Sequence, residues 1–132
     1  MYELIEIVEG DATRFLRLKN MDTGVVEVCF DDSAVVSNIN FNFMEIGQEY
    51  ECKIKLFGKP VYEKTDGCVT CKIIDGKTRI GQKQMVEVEV DNNKYYIPRV
   101  KVKDYLEYGS FNFCFSRKDL IQVSSIVHAD LL

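Results

Sequence analysis

The residues with the widest chemical repertoire in this chain are a pair of cysteines. Cys68 and Cys71 have the C-x-x-C spacing that forms half of a zinc site. No second C-x-x-C or C-x-x-H pair accompanies them, and residues three apart in a continuous strand project to opposite faces. Val69 and Thr70 between them are β-branched, which disfavours the tight turn that a shared ion would need. We therefore predict buried thiols, no metal site and no cofactor.

Other catalytic patterns are incomplete. The only histidine, His128, lies in an apolar segment, and any Ser-His-Asp or Cys-His arrangement would have to include it. Gly76-Lys77-Thr78 resembles the end of a phosphate-binding loop, but the required earlier glycine is replaced by Cys71. Paired carboxylates such as Asp31-Asp32 are common on solvated loops. We predict that the protein is not an enzyme.

Composition indicates one folded domain that spans residues 1–132. Apolar residues make up 46% of the chain and charged residues 29%, which is typical of a globular protein. The first ten residues carry Glu3 and Glu6 where a secretory signal would be positively charged. No apolar run approaches the roughly 18 residues that span a membrane. The five cysteines are odd in number and their spacing indicates no closed disulfide framework, so we expect a cytoplasmic protein with reduced thiols and no membrane partner.

Hydrophobic periodicity places these residues on strands. Apolar side chains recur with period two along most of the chain and with period 3.6 almost nowhere. We predict an all-β fold, a single antiparallel barrel-like or sandwich domain of about nine to ten short strands, with at most one or two short helical turns. The predicted strands are residues 2–8, 14–19, 25–30, 37–47, 50–57, 68–74, 85–90, 95–97, 100–103 and 110–116.

Glycine and proline set the predicted strand ends. Gly58-Lys59-Pro60 is expected to break the strand before it, and Asp75-Gly76 is expected to form a type I′ hairpin turn. Pro98 cannot donate a ladder hydrogen bond, so residues 95–97 are predicted at a sheet edge. A free edge can pair with the same edge of a second chain, so an edge-to-edge homodimer through residues 95–99 is possible.

Residues 37–47 alternate amide and apolar side chains. Asn38, Asn40 and Asn42 share one parity, and Ile39 and Phe41 share the other. On a strand, such a row of asparagines either keeps an aromatic edge from aggregating or forms a recognition surface. We favour the first interpretation.

Charge is unevenly distributed along a chain whose net charge is −4. Residues 1–51 carry 11 acidic and 3 basic side chains, whereas residues 52–84 carry 8 basic and 3 acidic ones. The two segments could neutralise each other as neighbours, or they could face different partners. With no catalytic pattern, we predict a non-enzymatic protein-binding module, such as an inhibitor, an immunity-type protein or an assembly adaptor, whose acidic third steers a basic partner. The residues assigned to this surface are Glu3, Glu6, Glu9, Asp11, Asp22, Asp31, Asp32, Asn38, Asn40 and Asn42.

The basic segment 52–84 supports an alternative function. Residues 46–59, IGQEYECKIKLFGK, resemble one strand of an oligonucleotide-binding (OB) barrel, a glycine-led turn into an alternating strand. That resemblance implies an OB-like barrel that binds single-stranded nucleic acid, with lysines at phosphates and aromatic rings stacked on bases. The residues assigned to this alternative are Lys53, Lys55, Phe57, Lys59, Tyr62, Lys72, Lys77, Arg79, Tyr95 and Tyr96.

Overall fold

The computed structural model describes residues 1–132 and confirms the all-β barrel prediction. Ten strands form one sheet, and the helical segments are a few residues long. The strands are β1 Tyr2–Glu9, β2 Arg14–Asn20, β3 Val26–Asp31, β4 Glu49–Tyr50, β5 Cys52–Val61, β6 Cys68–Ile80, β7 Lys83–Val90, β8 Asn93–Pro98, β9 Ser110–Val123 and β10 Ile126–Val127. The helices are α1 Ser33–Val36 and α2 Arg99–Val102, with 3₁₀ turns at Lys103–Tyr108 and Ala129–Leu131.

Five strands close the barrel in the order β5, β8, β7, β6 and β9. The long strand β9 closes the ring because it pairs antiparallel with β5 along one stretch and with β6 along another. Strand β8 meets β5 in a parallel bridge between Lys55 and Tyr96, so the prediction that residues 95–97 form a free edge is wrong. Strands β4, β1, β2 and β3 extend the sheet beyond the barrel from the bridge between Phe30 and Asp119.

The main core fills the barrel interior and continues under the inner face of the extension that β4, β1, β2 and β3 form. Along β2, Leu16 and Leu18 are fully buried while Phe15, Arg17 and Lys19 are exposed, as period-two alternation predicts. In β5, Ile54 and Leu56 point inward in the same way. These side chains join buried residues of β6 to β9 in one cluster of 19 buried residues.

Residues 37–47 form a loop, so the predicted strand of alternating asparagines is wrong. The Asn40 side chain accepts a hydrogen bond from the Asn42 amide (2.9 Å) and donates to the Ser37 carbonyl (3.0 Å). These local hydrogen bonds satisfy backbone groups that would otherwise pair with a neighbouring strand. Phe41 turns inward and is fully buried, while Asn38 and Asn42 are exposed at the turns.

At two positions where the sequence predicts a strand to end, the strand continues in the structure. Gly58 sits beside a β-bulge and lets β5 run to Val61, because a Cβ at this position would lie 2.0 Å from the Cys114 carbonyl oxygen. Asp75-Gly76 lies inside β6 between two register shifts, and Gly76 lacks the positive φ of a type I′ turn. The hairpin instead turns at Gly81, whose φ is +58°.

Residues 100–103 also differ from prediction, because α2 occupies most of the predicted strand and leads into a 3₁₀ turn. That turn ends at Gly109, whose φ of +76° is the left-handed conformation in which helices commonly end. We find no helix long and apolar enough to cross a bilayer.

One cysteine pair corrects the expectation of reduced thiols throughout. Cys68 and Cys114 face each other directly across β6 and β9 and form a disulfide. Cys29, Cys52 and Cys71 remain free thiols. The C-x-x-C motif is therefore divided between a disulfide and a separate thiol in the core.

Candidate functional site

A cavity of about 280 Å³ at the start of α2 is lined by cations and amides. Lys77, Thr78 and Arg79 of β6 form one side, Gln84 of β7 the floor, and Arg99 of α2 the other side. The Arg99 Nε donates a hydrogen bond to the Gly76 carbonyl (3.0 Å), which anchors the guanidinium at the rim. No acidic side chain lines this cavity, and none of its three cations forms an ion pair.

The surface continues from this cavity into a second one of about 430 Å³, because Gln84 lines both. Lys83 and Lys55 add two further cations, and the apolar floor includes Met85 and the exposed Val100. Asp130 is the single carboxylate in this lining. Cations therefore follow one another from β6 across β7 to β5, and among them Lys55 is the one with an ion pair, 3.7 Å from Asp119.

An exposed aromatic ring lies on the other side of α2. Phe57 is 41% exposed, with the Lys101 ammonium 5.0 Å and the Arg117 guanidinium 4.6 Å from its ring centroid. The Lys101 ammonium also donates to the Gly58 carbonyl (3.2 Å). Further along, Tyr62 is exposed and packs on Tyr105 at a centroid distance of 5.2 Å.

The local sequence explains this arrangement. In β6, alternation directs Lys77 and Arg79 outward while Ile80 is buried. Pro98 ends β8 and stands at the N-cap of α2, so the chain turns and carries Arg99 to β6 and Lys101 to β5. We name the set Lys55, Lys77, Arg79, Lys83, Arg99, Lys101, Phe57 and Tyr62 the basic strip.

The structure brings together part of the predicted nucleic-acid set. Lys55, Phe57, Tyr62, Lys77 and Arg79 belong to the basic strip. Lys59 and Lys72 are exposed beside it on β5 and β6, whereas Lys53 points to a different cavity, over the Tyr96 ring.

Two rings of that set are wrongly assigned. Tyr95 and Tyr96 are buried, so neither offers a free face for stacking. Sequence reasoning missed Arg99, Lys101 and Arg117, although three basic residues within positions 99–103 are a visible signal. The alternating pattern there was interpreted as a strand.

The acidic residues do not gather in one place. Glu3 and Glu6 lie on β1, Glu9 and Asp11 near the β1–β2 turn, and Asp22 at the opposite end of that hairpin. All of these acidic residues are exposed except Glu3, which is half-buried. Their assignment to a protein-binding surface, like that of the asparagines, stays a prediction. No ion pair joins an acidic residue of 1–51 to a basic residue of 52–84, although Asp22, Glu51 and Lys53 line one cavity, so neutralisation between the two segments stays a prediction.

The assignment of Asp31 to the predicted acidic surface is wrong, because the residue is buried. Its carboxylate is buried and accepts a hydrogen bond from the Arg14 Nε (2.8 Å). The second guanidinium contact of Arg14 is to the Phe41 carbonyl (2.8 Å). Because Asp31 faces inward from β3, it serves packing and cannot steer a partner.

Asp32 is bound to the lone histidine. The His128 Nε2 lies 2.6 Å from Asp32 Oδ1, and Nδ1 accepts from the Asp130 amide (3.1 Å). This assigns the ring proton to Nε2, which donates to Asp32. Asp32, His128 and Asp130 are also the one group with the spacing to hold a metal ion, but both ring nitrogens already have partners within the chain. The group ties the C-terminal 3₁₀ turn to α1.

The free thiols show no activation. Burial raises the pKa of Cys71 to about 12 and that of Cys52 to about 12, and it raises the pKa of Cys29 as well. Thiolates are the nucleophilic form of cysteine, so these side chains are inert near neutral pH.

Comparison with protein-family models, with curated proteins and with solved structures finds no match to this chain. The geometry described above is therefore the basis for the function.

Proposed function

We propose that this protein binds single-stranded nucleic acid through the basic strip. The observation that carries the proposal is the cavity of Lys77, Arg79 and Arg99, in which three cations converge without any carboxylate to neutralise them. Phosphate groups fit such a place because they supply the charge that the protein leaves uncompensated. Net acidity of the whole chain does not oppose this, since the Debye length of about 8 Å at physiological salt makes the local charge decisive.

The rings favour a single strand over a duplex. Phe57 and Tyr62 are exposed along the same strip, and unpaired bases can stack on such rings whereas bases inside a duplex cannot. Lys101 flanks Phe57 and would hold the backbone of a nucleotide whose base lies on that ring, whereas Arg117 on the same ring is already neutralised by Asp119.

The test is fluorescence anisotropy with labelled single-stranded DNA and RNA of about a dozen nucleotides, titrated at low and high salt. We expect affinity that falls steeply with salt. Replacing Arg79 and Arg99 together with alanine should weaken binding about tenfold or more and reduce the salt slope by roughly 1.4, the value for two phosphates on a single strand.

The matched control replaces Arg17 and Lys19 with alanine, two exposed cations on β2 outside the strip. That variant should bind like the wild type. Salt-independent binding, or equal losses in both double variants, would refute the proposal.

A protein interface is a second candidate because the loop after β3 exposes apolar side chains. Val35, Ile39 and Ile46 are each more than half exposed, and exposed apolar surface is the kind that protein partners cover. The predicted inhibitor, immunity-type or adaptor role in the cytoplasm was assigned to the acidic residues of 1–51, and these apolar side chains would add to that surface. Replacing Ile39 and Ile46 with serine should abolish capture of a partner that the wild-type chain retains at high salt.

A further inference from the structure

Strand β1 has one edge that no other strand covers along its second half. It pairs with β2 over its whole length, but β4 meets it only at its first two residues. The loop before β4 extends this cover by one residue, because the Leu4 N–H donates to the Gln48 carbonyl (3.0 Å) and the Leu4 carbonyl accepts from Gly47 (2.8 Å). We call the remaining part of β1, residues 5–9, the open edge.

The backbone of the open edge has hydrogen-bonding groups without partners. Along a strand these groups point alternately toward one neighbouring strand and toward the other. The Gly10 N–H donates to the Thr13 carbonyl (2.8 Å) across the hairpin, so the backbone groups of Val8, two positions earlier, also face β2. Those of Ile7 and Glu9 face away from β2, where no strand pairs with them and no loop bonds to them. An added strand would meet two N–H and two C=O groups there.

The charged side chains beside the open edge are acidic and exposed. Glu6 and Glu9 lie on it, Asp11 follows in the turn, and Glu49 on β4 lies beyond its other end. Among these four carboxylates only that of Glu6 forms an ion pair, an exposed contact of 3.6 Å with Arg17. The open edge therefore has negative charge that the chain leaves largely uncompensated.

Apolar side chains accompany these charges. Val8 and Ile46 are each more than half exposed, and Ile7 is half-buried. A strand laid along the open edge would cover part of this apolar surface and would also satisfy the backbone groups.

A second copy of this chain does not fit the open edge. Pairing two such edges would bring Glu6, Glu9 and Asp11 of one chain beside the same residues of the other. Like charges on neighbouring strands are destabilising, so these carboxylates keep copies of the chain apart. A strand with basic side chains converts the same charges into attraction.

We propose that the open edge binds an extended basic segment of another protein, which joins the sheet as a strand beside β1. Backbone hydrogen bonds to Ile7 and Glu9 hold the segment, and its lysine or arginine side chains lie beside Glu6 and Glu9. In this mode of recognition the backbone supplies affinity and the side chains supply specificity. The basic strip begins at β5, and β2, β3 and β9 lie between β5 and β1, so neither kind of binding requires the other.

The test is fluorescence anisotropy with a labelled peptide of about ten alternating lysine and valine residues, long enough to span the open edge. We expect the wild-type chain to bind this peptide. Two control peptides should bind at least about tenfold more weakly. One alternates glutamate and valine and so reverses the charge, and the other is the lysine–valine peptide with every backbone nitrogen methylated, which cannot donate to the strand.

Two pairs of variants separate charge from backbone pairing. Glu6→Lys with Glu9→Lys should abolish binding, while Asp22→Lys with Asp66→Lys, the same charge change at exposed positions elsewhere, should leave it unchanged. Glu9→Gln removes only a charge. Glu9→Pro also removes an N–H that faces away from β2, so it should weaken binding about fivefold more than Glu9→Gln, the contribution of roughly one hydrogen bond.

Three results would overturn the proposal: a wild type that binds the lysine–valine peptide no more tightly than either control peptide, equal losses in the two double variants, or equal affinities of Glu9→Gln and Glu9→Pro. A wild-type dimer in sedimentation analysis that Glu9→Pro dissociates would also overturn it, because the occupant of the edge would then be a second copy.

Discussion

Arg14 and Asp31 lie directly opposite each other on β2 and β3 and form a buried ion pair. The pair also positions the loop after α1, because Arg14 holds the Phe41 carbonyl. Removing one partner of such a pair leaves an uncompensated charge inside the protein.

We therefore expect Asp31→Ala to lower the free energy of unfolding by about 3–5 kcal/mol. Urea denaturation monitored by circular dichroism measures the loss. Glu6→Ala is the control, since its 3.6 Å contact with Arg17 is exposed and should cost less than about 1 kcal/mol. Equal effects of the two substitutions would contradict the structural role of Asp31.

The buried thiols predict a dependence of stability on alkaline pH. The Cys71 thiol has a pKa of about 12 in the folded chain and ordinarily 9.0. Below pH 9 the Cys71 thiol keeps its proton in both the folded and the unfolded chain. Between pH 9 and 12 only the unfolded state releases it, so stability should fall by up to about 1.4 kcal/mol per pH unit for this thiol.

Urea midpoints from pH 8 to 11 check this expectation, with Cys71→Ala as the control that should make the decline shallower, while Cys29 and Cys52 continue to contribute. A colourimetric thiol assay at pH 8 should find Cys71 unreactive until denaturant is added. Fast labelling of the native protein at Cys71 would show that the thiol is accessible.

At the level of the elements, β5 depends on a close backbone approach at Gly58. Gly58→Ala places a methyl group against the Cys114 carbonyl and should destabilise the protein by about 1–3 kcal/mol. Gly76→Ala is the matched control, because its Cβ would meet nothing within 4 Å and its φ is not positive. Thermal unfolding compares the two variants, and an unchanged Tm for Gly58→Ala would contradict the register of β5 on β9.

These two glycines also show how much of the strand pattern could be predicted. Alternation predicts the strand that precedes each of them, at 50–57 and 68–74, because burial follows period two locally, but it does not predict that β5 and β6 continue past them. The sequence could not tell a turn from a bulge, since both prefer glycine, and the difference depends on whether a partner strand continues past the residue. For Gly58 that partner is β9, more than fifty residues away.

The candidate site was predictable to a similar degree. Lys77 and Arg79 could be assigned from the basic charge of their segment alone. Arg99 joins them only because the chain turns after Pro98 and its guanidinium reaches the Gly76 carbonyl of β6, and Tyr95 leaves the set because the barrel buries it. Both outcomes depend on tertiary contacts that local periodicity does not encode.

At the level of the whole molecule, the disulfide between Cys68 and Cys114 joins β6 to β9 across a sequence separation of 46 residues. Closing such a loop restricts the unfolded chain, so reduction should lower the free energy of unfolding by about 2–4 kcal/mol. Urea unfolding with and without reductant measures this difference. A chain with both cysteines replaced by alanine should show no response to reductant, and a wild type that also shows none would contradict the bridge.

The closing strand has a further consequence for how the protein is made. Strand β9 pairs with β3, β5, β6 and β10, yet it follows most of its partners along the chain. During synthesis, β5 and β6 therefore emerge with free backbone donors and acceptors and wait for residues 110–123. Contacts so distant in sequence form slowly, and exposed strand edges recruit other chains. A ribosome that stops before Ser110 thus releases an aggregation-prone open sheet, and not a smaller barrel.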